Sequence, residues 1–86
     1  MTADYQGANM KVLNYRVFLR KEPEGGYTVI VPSLPGCVTY GASFEESIEM
    51  AKDAIKIYLE SLKAHGEDFP VESEIIETTV AIKAHA

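Results

Sequence analysis

VPSLPGCVTYGAS, residues 31–43, sets two prolines, two glycines and the chain's only cysteine between an apolar run and a strongly patterned helix. Two readings compete for this stretch. Either Cys37 is a nucleophile on an active-site loop, or the whole stretch is the scaffold on which a small sheet turns. Pro32 has no N–H to donate and so ends the strand before it. Pro35 and Gly36 supply the restricted and the permissive backbone that a reversal requires, and Cys37-Val-Thr-Tyr40 then reads as a short strand closed by Gly41. Ser43-Phe-Glu-Glu46 is a capping box: the Ser43 hydroxyl can reach the Glu46 N–H while the Glu46 carboxylate reaches back. The stretch is thus a strand end, a turn, a strand and a helix start.

Working outward, Leu13, Tyr15, Val17 and Leu19 alternate with Asn14, Arg16, Phe18 and Arg20, the period of a half-buried strand. Phe18 interrupts the polar face, which predicts that this face is partly covered. Glu22-Pro-Glu-Gly-Gly26 reads as a hairpin loop, and Tyr27–Val31 as the return strand. After the cap, Phe44, Ile48, Ala51, Ile55, Tyr58 and Leu62 recur at steps of four and three, one apolar stripe that runs to a stop at His65-Gly66. Ala54, Ile57 and Leu59 widen that stripe toward a second contact with another subunit. Glu45, Glu49, Lys52, Lys56 and Glu60 form a solvated face. An acidic, proline-containing connection follows, and Thr78–Ala84 reads as a fourth strand with Val80 and Ile82 on one face. The helix provides the crossover such a strand requires. The fold class is therefore α+β: a small βββαβ sheet with one long helix packed on one face.

Eighty-six residues allow one domain, and a chain this short buries about 60% of the surface its unfolded form exposes. Self-association is the expected supplement, as a homodimer or a higher homo-oligomer. Residues 1–9 are polar, lack period and precede Met10, and read as a flexible leader, leaving residues 10–86 as the domain. One cysteine excludes an internal disulfide, and neither a signal-peptide core nor a membrane span is visible, so a cytoplasmic location is expected. Eight scattered lysines and arginines against thirteen acids give a net charge of −5 and no basic patch for phosphates. The acidity fits a cationic partner.

The residues offer little to catalysis. A reactive thiol needs a histidine, a lysine or a helix N-terminus to lower its pKa. His65 lies at the far end of a helix about 33 Å long at 1.5 Å per residue, and His85 lies in the tail. Cys37, followed by Val38, reads instead as a small buried hydrophobe. One Cys and two distant His have no zinc-ligand spacing, Gly25-Gly26 sits in a hairpin rather than a phosphate loop, and the strands carry no mid-strand carboxylates for a two-metal nuclease. No cofactor, no metal and no enzymatic activity are expected. Residual nuclease activity or Cys37 chemistry is the opposing reading.

GGYTVIVPSLPGCVTYGASFEESIEMAKDAI, residues 25–55, resembles the N-terminal domain of the HicB-type antitoxin family: a Gly-Tyr strand, a Pro-x-Leu-Pro-Gly-Cys turn, a short strand, a Ser or Thr cap and an acidic, Ala-rich helix. The resemblance extends over nearly the whole chain from Met10. It implies a partial ribonuclease H-like sheet without the nuclease's acidic centre. It also implies a partner, a small basic ribonuclease toxin of the HicA type whose catalytic histidine the domain covers. Many such antitoxins continue into a DNA-binding segment; this sequence stops at Ala86, so direct DNA binding is not expected. Glu22, Glu24 and Tyr27, on the loop and strand start that can project, are the expected partner contacts. Pro32, Pro35, Gly36, Cys37, Ser43 and Glu46 are the expected structural turn and cap. The alternative is an orphan, self-associating domain with a structural or regulatory role and no toxin.

Overall fold

A computed structural model describes residues 12–85, so the expected leader, residues 1–9, lies outside the described residues. Three strands, β1 (Phe18–Lys21), β2 (Tyr27–Ile30) and β3 (Val38–Gly41), form an antiparallel sheet in the order β1-β2-β3. The register pairs Phe18 with Ile30 and Ile30 with Val38, and on the other face Leu19 with Val29 and Val29 with Thr39. A single long helix, α1 (Phe44–Ala64), packs on β2 and β3. A 3-10 turn at Glu72–Glu74 follows it. The expected α+β class with one helix on one face of a small sheet holds.

The core forms where the PSLPG turn folds under the helix. Val31, Leu34 and Cys37 are buried together, with Tyr15, Val17, Ala54, Ile55, Tyr58 and Leu59 packed around them. Leu34, in the middle of the turn, is 0% exposed. Its N–H donates to the Val31 carbonyl (3.0 Å) and its carbonyl accepts from the Cys37 N–H (2.9 Å), while the Val31 N–H donates to the Cys37 carbonyl (3.1 Å). Gly36 takes φ +83°, the left-handed conformation that closes the reversal. The turn thus hides its own backbone polar groups as it carries an apolar side chain inward.

Helix α1 begins at its expected cap: the Ser43 hydroxyl accepts the Glu46 N–H at 3.1 Å. The Glu46 carboxylate reaches back one residue further than a capping box requires, accepting from the Ala42 N–H. The helix ends as Gly66, φ +70°, donates to the Lys63 carbonyl and Glu67 donates to that of Leu62, the paired bonds of a Schellman stop. His65 Nδ1 lies 2.7 Å from the Ser61 carbonyl. The acidic and basic side chains of Glu45, Glu49, Lys52, Lys56 and Glu60 are exposed as expected. One stripe residue differs, Phe44, which is exposed at the helix start; Ile57, which widens the stripe, is 66% exposed. Ser47 takes a core place instead. It is fully buried against Gly41, its hydroxyl donating to the Ser43 carbonyl at 2.7 Å.

Two strand expectations are corrected. The first strand starts at Phe18 rather than Leu13, because the ladder ends at the position where Arg16 would face Pro32. Proline has no N–H to close that pair. The fourth strand, Thr78–Ala84, does not form in the sheet of its own chain: residues 75–85 make no ladder, and residues 73–85 are all exposed. A strand exists only where another strand supplies its hydrogen bonds, and among the described residues β1 and β3 both remain edges.

Candidate functional site

The hairpin between β1 and β2 is braced from inside. Glu22 N–H donates to the Gly26 carbonyl and Gly25 N–H to the Glu22 carbonyl, each at 3.0 Å, with Gly25 and Gly26 at positive φ. The Glu22 carboxylate accepts from the Thr28 hydroxyl and from Arg20 Nε at 3.2 Å. The Thr28 hydrogen bond above all, with Arg20 beside it, holds this carboxyl below its ordinary pKa. Tyr40 ties β3 to the same loop, its hydroxyl donating to the Gly25 carbonyl at 2.9 Å.

Of the three expected contacts, Glu24 is exposed at the hairpin tip, Glu22 is committed to holding the hairpin's shape, and Tyr27 is half-buried at the start of β2. Alternation places Tyr27 on the helix side with Val29. Pro32, Pro35 and Gly36 are exposed on the turn, and the Pro35 carbonyl accepts from the Tyr58 hydroxyl at 2.8 Å, which fastens the turn to α1.

The sheet face turned away from α1 carries a row the alternating pattern only hinted at. Phe18, Ile30 and Val38 lie side by side across the three strands; Phe18 is 43% and Val38 57% exposed. Arg20, Thr28 and Tyr40 form the next row, toward the hairpin. The partial cover expected over Phe18 is present: Ile75 and Ile76 join Phe18 and Pro32 around a small cleft of about 130 Å³.

That cover is clasped at its root by residues sequence reading missed. The Glu72 carboxylate accepts from the Arg16 N–H at 3.1 Å and from the Ser33 hydroxyl, and faces Arg16 Nε at 3.3 Å. Tyr15 donates its hydroxyl to the Pro70 carbonyl at 2.7 Å, and Arg16 also meets Glu77 at 3.2 Å. The Ser33 hydrogen bond, with Arg16, draws the Glu72 carboxyl below its ordinary pKa; burial first, then the Glu72 charge, pushes the Tyr15 phenol up. These partners stand about 40 to 60 residues apart in sequence, beyond the reach of any local pattern.

The Cys37 thiol is buried and its pKa is raised by that burial, the opposite of an activated nucleophile. Among the described residues no group of three or more His, Cys, Asp or Glu could hold a metal ion, and no helix is long and apolar enough to cross a membrane. Among the described residues, an acid-tipped hairpin, a half-covered apolar sheet face and two unpaired strand edges are the exposed features of a small α+β domain.

Comparison with known proteins specifies which. Residues 15–85 match the model of the HicB-like antitoxin of bacterial toxin–antitoxin systems, and the chain belongs to that family. It is 42% identical over 67 residues to the UPF0150 protein ssr1765 of Synechocystis sp., a match covering 78% of this chain and 85% of that one. It is 45% identical over 58 residues to the UPF0150 protein Ta0767 of Thermoplasma acidophilum, covering 67% and 84%. To Antitoxin HicB 1 of Photorhabdus laumondii it is 35% identical over 66 residues, 77% of this chain and 43% of that antitoxin.

Proposed function

We propose that this protein is the antitoxin of a toxin–antitoxin pair and acts by binding rather than by catalysis, sequestering a small basic ribonuclease of the HicA type. The observation that carries this reading is membership of the antitoxin family over residues 15–85. The net charge of −5 supports it, since an acidic surface steers and orients a cationic partner. The apolar row of Phe18, Ile30 and Val38 offers the dehydrated centre an interface needs, and the charges around it a polar rim. In this scheme Glu24 and Tyr27 meet the toxin, and Glu22 holds the loop that presents them.

The test is a capture experiment. The tagged full chain is used as bait in a lysate of its own host at low salt, and bound material is eluted by raising the salt. The expected result is a small basic protein with ribonuclease activity that the purified chain suppresses. Recovery of the chain's own oligomer alone would replace this reading with that of an orphan, self-associating domain. The observation favouring that second reading is the apolar surface left open on the sheet, on α1 and in the tail.

A further inference from the structure

Five hydrophobic side chains are buried among the described residues, whereas fourteen large ones are exposed, so the isolated chain leaves much apolar surface in water. Two of these surfaces complement each other. The tail is β-patterned in sequence, with Val80 71% and Ile82 78% exposed in a segment that forms no ladder. It contributes to a Cα radius of gyration of 16.7 Å, against about 12 Å for a compact chain of this length. The other surface is a largely apolar groove of about 460 Å³ between the segment that leads into β1 and α1, floored by Tyr15, Val17, Ala51, Ile55 and Leu59 with Lys52 and Lys56 at its rim. It is open because α1 sits over β2 and β3.

Among the described residues, the outer edge of β1, which continues from Tyr15 and Val17 of that groove, pairs with no strand. Glu22 donates to Gly26, so the hydrogen-bonded pairs of the β1–β2 ladder fall at Arg20–Thr28 and Phe18–Ile30. The N–H and C=O groups of Leu19 and Lys21 therefore point away from β2, ready to template another strand. The chain's own tail is led elsewhere. From Pro70, under Tyr15, it passes round to Ile75 and Ile76 on the far face of the sheet, where Glu77 is held by Arg16.

We infer that Thr78–Ala84 is an exchanged strand, which adds to the free edge of β1 in a second copy of this chain and drops Val80 and Ile82 into that copy's groove. Seven extended residues at about 3.3 Å each outreach the four of β1. The occupant is another copy rather than an unrelated protein because each chain carries both halves of the fit, a tail that pairs with nothing in its own subunit and, among the described residues, an unpartnered β1 edge beside an apolar groove. Exchange in both directions about a two-fold axis closes the assembly and consumes both β1 edges. The inference goes beyond toxin binding and does not depend on it.

The experiment is sedimentation of the full chain over a range of concentrations, beside Ala81→Pro, which removes one backbone donor from an exposed segment that supports nothing in its own subunit. The wild type is expected to form a closed dimer or an even-numbered oligomer. Ala81→Pro is expected to weaken association by about tenfold or more with the helical circular-dichroism signal unchanged. In mixed dimers of isotope-labelled and unlabelled chains, Ile82 methyl contacts to Ile55 and Leu59 are expected between copies. A wild type that stays monomeric, an Ala81→Pro variant that associates normally, or Ile82 contacts confined to one copy would each overturn the inference. So would loss of association on removing residues 1–11 with Ala81→Pro silent.

Discussion

The Arg16 N–H donates to the Glu72 carboxylate across 3.1 Å, at the position where Pro32 ends the ladder. One proline thus shortens β1 and hands the next backbone donor to a side chain 56 residues away. The same carboxylate satisfies the buried Ser33 hydroxyl, so Glu72 joins the start of the sheet, the core turn and the root of the tail.

Replacing Glu72 by Ala is therefore expected to leave two donors without partners and to cost about 1–3 kcal/mol. Chemical denaturation measures the cost, and hydrogen exchange should show residues 70–77 opening first. The pH dependence has a definite sign. The folded-state pKa of Glu72 lies below its ordinary 4.5, so its contribution is fully present above that value and is lost as the pH falls through the folded pKa. Glu72→Gln should flatten the stability–pH curve below about pH 4.5. An unchanged acid limb would remove Glu72 as a stabilising carboxylate.

The opening question of the sequence, whether the PSLPGC turn reacts or supports, becomes a stability measurement. Leu34→Ala removes a fully buried side chain and is expected to cost about 2–5 kcal/mol. Cys37→Ala should cost less, Cys37→Ser more than Cys37→Ala because a hydroxyl enters an apolar pocket, and neither should abolish binding of a partner. A thiol reagent should modify Cys37 only as fast as the domain opens, which rate measurements against denaturant would show.

Gly41 presents a different kind of requirement. A Cβ there would lie 2.4 Å from the Ser47 Oγ and 2.5 Å from both the Cα and the N of Ser47, so strand and helix must separate to admit it. Gly41→Ala is expected to lower stability by about 1–3 kcal/mol. Adding Ser47→Ala should fail to restore it, because two of the three close atoms are backbone. Rescue by the double variant, read from thermal melts, would show that the hydroxyl alone set the spacing.

What the sequence disclosed depends on how far apart the interacting residues stand. Ser43 and Glu46, or Leu62, Lys63 and Gly66, make their bonds within one helical turn and were legible as a cap and a stop. Val29, Val31 and Ala51 followed from periodicity. Leu34 did not, because a leucine inside a Pro-Gly turn has no period to announce that the turn folds inward. Ser47 was missed because burial of a hydroxyl depends on a local acceptor, the Ser43 carbonyl, and on the missing Cβ of Gly41. The start of β1 was set by a proline on its partner strand, and the tail's pattern announced a strand without saying whose edge it would use. Glu22 and Glu24 looked alike as exposed acids; only the positions of Thr28 and Arg20 separate them.

That separation yields the last prediction. Glu24 has no role in holding the hairpin, so Glu24→Arg should leave the melting temperature unchanged, slow association with a basic toxin and reduce its salt dependence, because a rim charge acts mainly through steering. Glu22→Ala should do the reverse in order. It frees the Thr28 hydroxyl and Arg20, loosens the hairpin in hydrogen exchange, and affects the toxin only through the altered loop. Stopped-flow association across a salt series distinguishes the two. Equal rate constants for Glu24→Arg and wild type would take Glu24 out of the interface and leave the sheet's apolar row as the surface to test next.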